Sequence, residues 1–279
     1  MKQFTVNEMD NRYIPIYKMA LKNKDHTLNI THVITLDHAS SNKMYGPIMC
    51  YDYAIEYICK HLGIRYTPIY INTYSPDDIV SYVQSLNDCE DIDGILIDYP
   101  FISSIEYITF QNSLMIPTKD IDMIDSGWDN FGKYFNYTFP AKFIIDELMM
   151  YHMIFDEMLT YKIITNNTNS HKGIIPYRNY SHNRYIFMTN LFKDELCYDE
   201  SDDIIISLMR DVKGPIWNYK SSKYLKDHPK LIVDFGYKHN GQVGSINDRG
   251  LNPNVPYYTW LNGLCHLHIY AVLKNLIMD

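Results

Sequence analysis

The chain has 279 residues, 46% of them hydrophobic and 21% charged, which is typical of a folded protein of one large or two medium domains. Its formal net charge of −8 argues against broad binding to nucleic acid or to an anionic membrane, because both attract basic proteins. No apolar run approaches the roughly 20 residues that span a bilayer, and the first residues lack the apolar segment of a signal peptide. We therefore expect a cytoplasmic protein.

The first half of the chain predicts a β-α-β-α-β order, which indicates a parallel sheet. Three short apolar runs, HVITLDH, TPIYINT and GILID, have strand character, and stretches with helical spacing separate them. The predicted elements are a strand at 32–38, a polar loop at 39–47, a helix that ends at Gly63, a strand at 67–73, a helix capped by Ser75 that begins at Pro76, and the GILID strand.

The second half predicts another α/β block after a long helix. The predicted elements are a helix at 105–115, a helix from Ala141 to Leu159, strands at 161–165, 184–189, 202–209 and 230–236, and a last helix from Leu264 to Met278. We expect two α/β domains. The first comprises residues 1–140 plus the C-terminal helix 264–279, and the second, residues 141–263, is Rossmann-like. A cleft between them is the expected ligand site.

The cysteines are five in number and scattered, and no two of them form a CxxC pair. A disulfide framework or a cysteine zinc site is therefore not expected. His266 and His268 flank Leu267 and suggest a zinc pair, but no third and fourth ligand accompany them. We expect no metal.

The order of several segments resembles the methylenetetrahydrofolate dehydrogenase/cyclohydrolase family, the FolD-type enzymes of one-carbon folate metabolism. The segments are Tyr51 on a helix that ends in HLGI, then SLNDCEDIDGILIDYP, then IPTKDIDMID. The resemblance covers nearly the whole chain and is strongest over 51–127; VDFGYKHNGQVGSIND and LKNL extend it more weakly. It implies a folate-like ligand, NADP or NAD as cofactor, and a homodimer.

The resemblance also identifies two changed positions at the catalytic centre. The family carries a lysine four residues after the helix tyrosine as its acid/base group, whereas this chain keeps Tyr51 but has Ile55. Isoleucine can neither move a proton nor hold a charge. Lys60, about half a turn off the face of Tyr51, is a poor substitute, and Lys43 in the preceding loop stays open as a candidate that nothing else in the sequence supports. The family glutamine that holds this lysine is Asp98 here. Asp98 either lines the cleft, which we favour because parallel strands present their carboxyl ends to a site, or is a solvated strand-end acid.

Asp122 corresponds to the family aspartate that binds the pterin. A carboxylate suits the paired N–H donors of an aminopyrimidine edge, although a loop acid that caps a turn is the alternative. The neighbouring Lys119 and Asp120 could equally form a structural ion pair or bind the ligand.

The cofactor segment departs further from the family. The family loop reads G-R-S-x-x-V-G-x-P and its closest match is TNSHKGIIP, in which Ser170 is kept while Thr168, Asn169 and Ile174 replace glycine, arginine and glycine. Side chains at the glycine positions obstruct the approach of a pyrophosphate. Gly263, in TWLNGLCHLHI, matches the family loop that closes over the nicotinamide.

These departures leave several functions open. A dehydrogenase that has lost the cyclohydrolase step is the first, because hydride transfer depends on the cofactor and on positioning more than on a protein base. An inactive FolD-like pseudoenzyme with a binding, regulatory or structural role is the alternative. An enzyme that takes another ligand in the same cleft is a third reading, and an α/β interaction module without a folate history is a fourth.

Overall fold

The structure, a computed structural model, describes residues 3–35, 41–71, 76–98, 118–122, 139–155, 159, 161–165, 184–187, 203–208, 229–236 and 254–278. The chain forms two compact units. The first unit is Val6–Phe143 with His266–Asp279, and the second is Met1–Thr5 with Ile144–Cys265. Met1–Thr5 thus groups with the second unit and not with the residues that follow it. Among the described helices none is long and apolar enough to cross a membrane.

The first unit is built on a parallel sheet, as the sequence predicts. Its elements are α1 (Val6–Leu21), β1 (Asn29–Thr35), α2 (Ser41–Leu62), β2 (Arg65–Ile71), α3 (Pro76–Asn87) and β3 (Gly94–Asp98). The strand order is β2-β1-β3, with Ile30 of β1 opposite both Tyr66 and Gly94. A single parallel bridge from Ile95 to Asp120 continues the pairing beyond β3.

One part of the core of this unit lies between α3 and the strands β1 and β3. The buried apolar side chains of this cluster are Val33, Val83, Leu86, Ile92, Ile95 and Ile97. Burying each such side chain contributes about 1.5–3 kcal/mol, so the apolar face of α3 fixes that helix on the sheet. The carboxyl ends of β1 and β3 consequently lie side by side at one edge.

The last helix, α5 (Cys265–Met278), returns to complete the first unit. It is apolar on nearly every face, as expected for a helix enclosed by other elements. Gly94 permits its close approach, because a Cβ atom there would lie 3.2 Å from Leu276 Cδ1 and 2.9 Å from Ile121 Cδ1. Asn275 donates a hydrogen bond from Nδ2 to the carbonyl of Ile121 at 2.8 Å.

Helix α1 packs against α5 through tyrosines. Tyr17 donates to the carbonyl of Tyr270 at 2.7 Å, and the Tyr270 hydroxyl donates to Asp10 Oδ1, also at 2.7 Å. The ring of Tyr13 lies 4.6 Å from that of Tyr270. Two helices that are more than 240 residues apart in the chain therefore form one packed layer.

The second unit contains a fully parallel five-stranded sheet. Its elements are the end of α4 (Pro140–Tyr151), β4 (Tyr161–Thr165), β5 (Arg184–Phe187), β6 (Ile204–Ser207), β7 (Leu231–Asp234) and β8 (Tyr257–Thr259). The order is β5-β4-β6-β7-β8, and every residue of β6 and β7 is buried. The order reverses between β4 and β6, which is where open α/β sheets of this kind bind nucleotides. The α/β class and the parallel sheets are thus confirmed.

Several predicted boundaries are wrong. The loop predicted at 39–47 is mostly helix, because α2 begins at Ser41 and runs through Gly46 and Pro47; local propensity is only a weak guide where tertiary context decides. The first strand lies three residues earlier than predicted and the second two residues earlier. Helix α1 was not predicted at all. The helix predicted at 105–115 lies outside the described residues.

The helix predicted to reach Leu159 ends at Tyr151. Met153 adopts a positive φ of 56° just beyond it. The backbone N–H of Ile154 donates to Met149 and that of Met153 to Met150, which is the bonding of a Schellman motif. No glycine occupies position 153, so the sequence carries no signal that the helix ends here.

Candidate functional site

Helix α2 places Tyr51 and Ile55 one turn apart on the same face. Tyr51 is 4% exposed and Ile55 is 0% exposed, so position 55 belongs to the hydrophobic core of the first unit. Position 55 therefore lacks a side chain that could carry a proton, and it is also completely buried.

Tyr51 and Asp122 are brought together by a third residue, His268 of α5. The Tyr51 hydroxyl lies 3.1 Å from His268 Nδ1, and His268 Nε2 lies 3.0 Å from Asp122 Oδ1. We call these three side chains the Tyr51–His268–Asp122 relay. A neutral imidazole has one donor and one acceptor nitrogen, so it can accept from the tyrosine and donate to the carboxylate at once. Sequence reasoning considered His268 only as half of a zinc pair and missed this role.

The relay is open at one end. The side chains of Asp122 and His268 are 23% and 18% exposed, whereas Tyr51 is almost fully enclosed. Asp122 and His268 are therefore the members of the relay that solvent can reach.

A second polar cluster lies behind Tyr51. His32 of β1 is buried and its Nδ1 lies 2.6 Å from the Tyr66 hydroxyl, which donates to Asp52. The Tyr70 hydroxyl donates to the other oxygen of Asp52. The His32 ring meets the Tyr51 ring edge-on at 5.6 Å between centroids. This cluster, which no sequence motif indicates, backs the relay with polar groups that are hydrogen-bonded to each other.

Lys119 has a structural role. Its ammonium donates to the carbonyls of Asn87 and Cys89, both at 2.7 Å, at the carboxyl end of α3. A cation at that position satisfies unpaired carbonyls and complements the helix dipole. Asp120 is fully buried and carries the bridge to Ile95. Both residues fix the turn that holds Asp122.

Asp98 is the last residue of β3 and pairs with Ile34 of β1. Its backbone thus lies at the carboxyl edge of the sheet, on β3 next to the central strand β1, and the strand order reverses between these two strands. The Asp98 side chain lies outside the described part of the chain, so its role as a cleft carboxylate stays a prediction.

Gly263 lies in the second unit in a short kinked segment, Trp260–Leu264, whose backbone is non-helical at Asn262 and Gly263. It is buried, and its φ of 98° is a conformation that favours glycine. Asn262 in the same segment donates from Nδ2 to the carbonyl of Tyr257 at 3.2 Å. The positive φ therefore explains why position 263 is glycine, whether or not a cofactor binds.

The four predicted loop residues of the cofactor site, Thr168, Asn169, Ser170 and Ile174, lie outside the described residues. They follow directly after β4 in the chain, however, and β4 is one of the two strands between which the sheet order reverses. Ligands of open α/β sheets bind beside such a reversal, and the role of these four residues stays a prediction.

The two histidines of α5 differ in environment. His266 is two residues from His268, which places the two side chains on different faces of the helix. Burial lowers the pKa of His266, whereas His268 is paired with Asp122. No group of three or more metal-binding side chains occurs among the residues that the structure describes.

No family model matches the chain, and no curated protein matches it at a significant level. Several solved structures, by contrast, match the chain in fold. A bifunctional methylenetetrahydrofolate dehydrogenase/cyclohydrolase, FolD, from Campylobacter jejuni is 17% identical, with a TM-score of 0.72 over 100% of this chain and 98% of that one. A 5,10-methylenetetrahydrofolate dehydrogenase from the silkworm Bombyx mori is 17% identical, with a TM-score of 0.73 over 98% and 93%. The NAD-dependent 5,10-methylenetetrahydrofolate dehydrogenase of Saccharomyces cerevisiae is 13% identical, with a TM-score of 0.64 over 97% and 94%. The chain thus has the fold of these two-domain enzymes over its whole length.

Proposed function

We propose that the chain is a divergent FolD-type protein that transfers hydride between a methylene-bearing reduced folate and NAD or NADP, and that it has lost cyclohydrolase activity. The observation that carries the proposal is the pairing of a buried Ile55 with an intact Tyr51 that His268 joins to Asp122. The groups expected to bind the ligand are present. The position expected to supply the acid/base group for hydrolysis is occupied by a buried isoleucine.

Asp122 is the group that would recognise the ligand. Its carboxylate can accept paired N–H donors from an aminopyrimidine edge, and charge-assisted hydrogen bonds of this kind contribute about 1.5–3 kcal/mol. Lys119 and Asp120 hold the turn from which Asp122 projects. Tyr51, which is almost fully enclosed, is joined to Asp122 through His268.

The nicotinamide nucleotide would supply the hydride chemistry when bound. The loop after β4, with Ser170, and the Gly263 segment are the residues that would hold it. The yeast protein of the same fold is described as NAD-dependent, and Asn169 stands where the family arginine supports the 2′-phosphate of NADP. We therefore favour NAD.

The alternative is an inactive FolD-like protein that binds a partner or ligand without chemistry. The changes at Thr168, Asn169 and Ile174 favour it, because side chains at glycine positions hinder a close pyrophosphate. A chain that has lost both the catalytic base and the glycines of the cofactor loop would bind a ligand or partner without catalysing a reaction.

Calorimetric binding of tetrahydrofolate, NAD and NADP to the purified protein tests the proposal, followed by assays of methylenetetrahydrofolate oxidation and of methenyltetrahydrofolate hydrolysis. We expect folate and NAD to bind, oxidation to occur and hydrolysis to be absent. Asp122→Asn should weaken folate binding about tenfold or more, and the exposed Glu90→Gln is the matched control. Folate binding without nucleotide binding would favour the inactive alternative, and hydrolysis by the wild-type protein would contradict the proposal.

A further inference from the structure

We propose that Asn275 is a positioning residue for Asp122, because it holds the peptide group from which the Asp122 side chain projects. Asn275 lies on α5 and is 4% exposed, and its Nδ2 donates to the carbonyl of Ile121 at 2.8 Å. The inference rests on the proposed function for the identity of the ligand that Asp122 meets, and on the structure alone for the way in which Asp122 is held.

The carbonyl that Asn275 holds belongs to the same peptide unit as the backbone nitrogen of Asp122. A peptide unit is planar, so the oxygen of Ile121 and the nitrogen and Cα atoms of Asp122 lie in one plane. A hydrogen bond to that oxygen therefore restricts the orientation of the backbone from which the Asp122 side chain departs. A buried amide costs free energy unless it is hydrogen-bonded, and this bond offsets that cost on an otherwise largely apolar helix.

The other end of the same turn is fixed from the sheet and from α3. The carbonyl of Lys119 accepts the backbone N–H of Ile95 at 2.7 Å and that of Ile121 at 3.0 Å. The Lys119 ammonium donates to two carbonyls at the carboxyl end of α3. The turn is thus anchored before Ile121 by β3 and α3, and Asn275 supplies an anchor from α5 directly before Asp122.

The side chain of Ile121 is enclosed as tightly as its carbonyl is held. It is fully buried, and a Cβ atom at Gly94 would lie 2.9 Å from its Cδ1 and 3.1 Å from its Cγ2. The same Cβ atom would lie 3.2 Å from Cδ1 of Leu276, the neighbour of Asn275 on α5. Closely packed interiors transmit small displacements, so a change at Gly94 or at Asn275 should move the backbone that leads into Asp122.

Helix α5 meets Asp122 at two points. His268 and Asn275 are seven residues apart, which is about two turns, so they lie on the same face of the helix. His268 contacts the Asp122 carboxylate at 3.0 Å, and Asn275 holds the carbonyl that precedes Asp122. Asp122 is 23% exposed, whereas Asn275 is buried. Any effect of Asn275 on a ligand that arrives from solvent should therefore pass through Asp122.

A double-mutant cycle read by calorimetric binding of tetrahydrofolate tests this dependence. Asn275→Leu keeps the branching of the side chain and removes the donor. We expect it to weaken binding by up to about tenfold, and to have no further effect when Asp122→Asn is already present, because a residue that acts through another is not additive with it. An equal loss of affinity in both backgrounds would show that Asn275 acts independently of Asp122 and would overturn the inference.

Ile277→Ala is the matched control for a general weakening of α5. Ile277 is buried and lies two residues from Asn275, on another face of the helix. This variant should lower stability while the folded protein binds tetrahydrofolate with wild-type affinity. A loss of affinity equal to that of Asn275→Leu would assign the effect to destabilisation of the helix, and the positioning role would be wrong.

A ligand-free measurement separates this inference from the proposed function. Nuclear Overhauser contacts between the Asp122 side chain and the His268 ring report where Asp122 lies in the free protein. We expect them to weaken in Asn275→Leu and in Gly94→Ala, and to be unchanged in Ile277→Ala. Gly94→Ala displaces the same turn from β3, so it serves as the test if Asn275→Leu does not fold.

The two proposals fail in different ways. If tetrahydrofolate does not bind the wild-type protein, the proposed function is wrong, and the contacts between Asp122 and His268 alone decide whether Asn275 positions Asp122. Contacts that are unchanged in the folded Asn275→Leu variant, or in Gly94→Ala where Asn275→Leu does not fold, overturn the inference whether or not a folate binds.

Discussion

Ile55 and His268 define the surroundings of Tyr51 in different ways. Ile55 is wholly enclosed, and Tyr51, one turn earlier, contacts an imidazole that comes from a different helix. The sequence identified Ile55, Tyr51 and Asp122 because a motif orders them. It could not identify His268 as their partner, because 217 residues separate it from Tyr51 and only the return of α5 brings them together.

Ile55→Lys should not restore a catalytic lysine. The ammonium would be buried without a partner, so we expect the free energy of unfolding to fall by about 3 kcal/mol or more. Tyr53→Lys, on the same helix at a side chain that is 63% exposed, should change it by no more than about 0.5 kcal/mol. Denaturant unfolding compares the two. A soluble Ile55→Lys variant of wild-type stability would contradict the enclosure of this position.

Helices α2 and α4 end in the same hydrogen-bonded motif but have different residues at the position with positive φ. α2 ends in a Schellman motif in which Ile64 N–H donates to Cys59 and Gly63 N–H to Lys60, with Gly63 at a φ of 75°. α4 ends in the same motif, with Met153 in the glycine position. The end of α2 is predictable from Gly63, whereas the end of α4 is not, because methionine gives no such signal. The strand YKIIT, by contrast, was predicted with its observed bounds, because turn and loop signals flank a short β-type run.

Reciprocal substitutions at these two helix ends should have opposite effects. Gly63→Ala should lower the free energy of unfolding by about 1 kcal/mol, because a side chain disfavours a positive φ even where space is open. Met153→Gly should raise it by about 0.5–1 kcal/mol, since Met153 is 77% exposed and loses little packing. Chemical denaturation of both variants measures the pair. A destabilised Met153→Gly variant would show that its side chain packs in solution.

The two compact units each enclose a tyrosine that no local pattern indicates. Tyr270 in the first unit donates to Asp10, and burial and Asp10 raise its pKa, so the hydroxyl remains a donor. Tyr258 in the second unit accepts the backbone N–H of Phe4 at 2.7 Å and lies 2.8 Å from His152. The sequence predicted two α/β domains and the return of the last helix. It did not predict these long-range bonds, which depend on the assembled fold.

Removing either hydroxyl should weaken its own unit. Tyr270→Phe and Tyr258→Phe should each lower the free energy of unfolding by about 1–3 kcal/mol, because the half-buried Asp10 and the buried Phe4 N–H respectively lose a hydrogen-bond partner. Hydrogen exchange should show faster amide exchange in Val6–Phe143 and α5 for the first variant, and in Ile144–Cys265 for the second. Equal loss of protection throughout the chain in both variants would show that the units unfold as one.

The return of α5 to the first unit has a consequence for synthesis on the ribosome. The sheet of β1, β2 and β3 is complete in the chain long before the helix that covers Gly94 and supplies Tyr270 and Leu276 has been made. At about 5–20 residues per second, translation from Phe143 to His266 takes roughly 6–25 s. During that interval the strands of the second unit are still being made, and the side chains around Gly94 lack the helix that packs against them. The first unit can therefore be completed only after the second has been synthesised, and the interval is one in which a chaperone can bind.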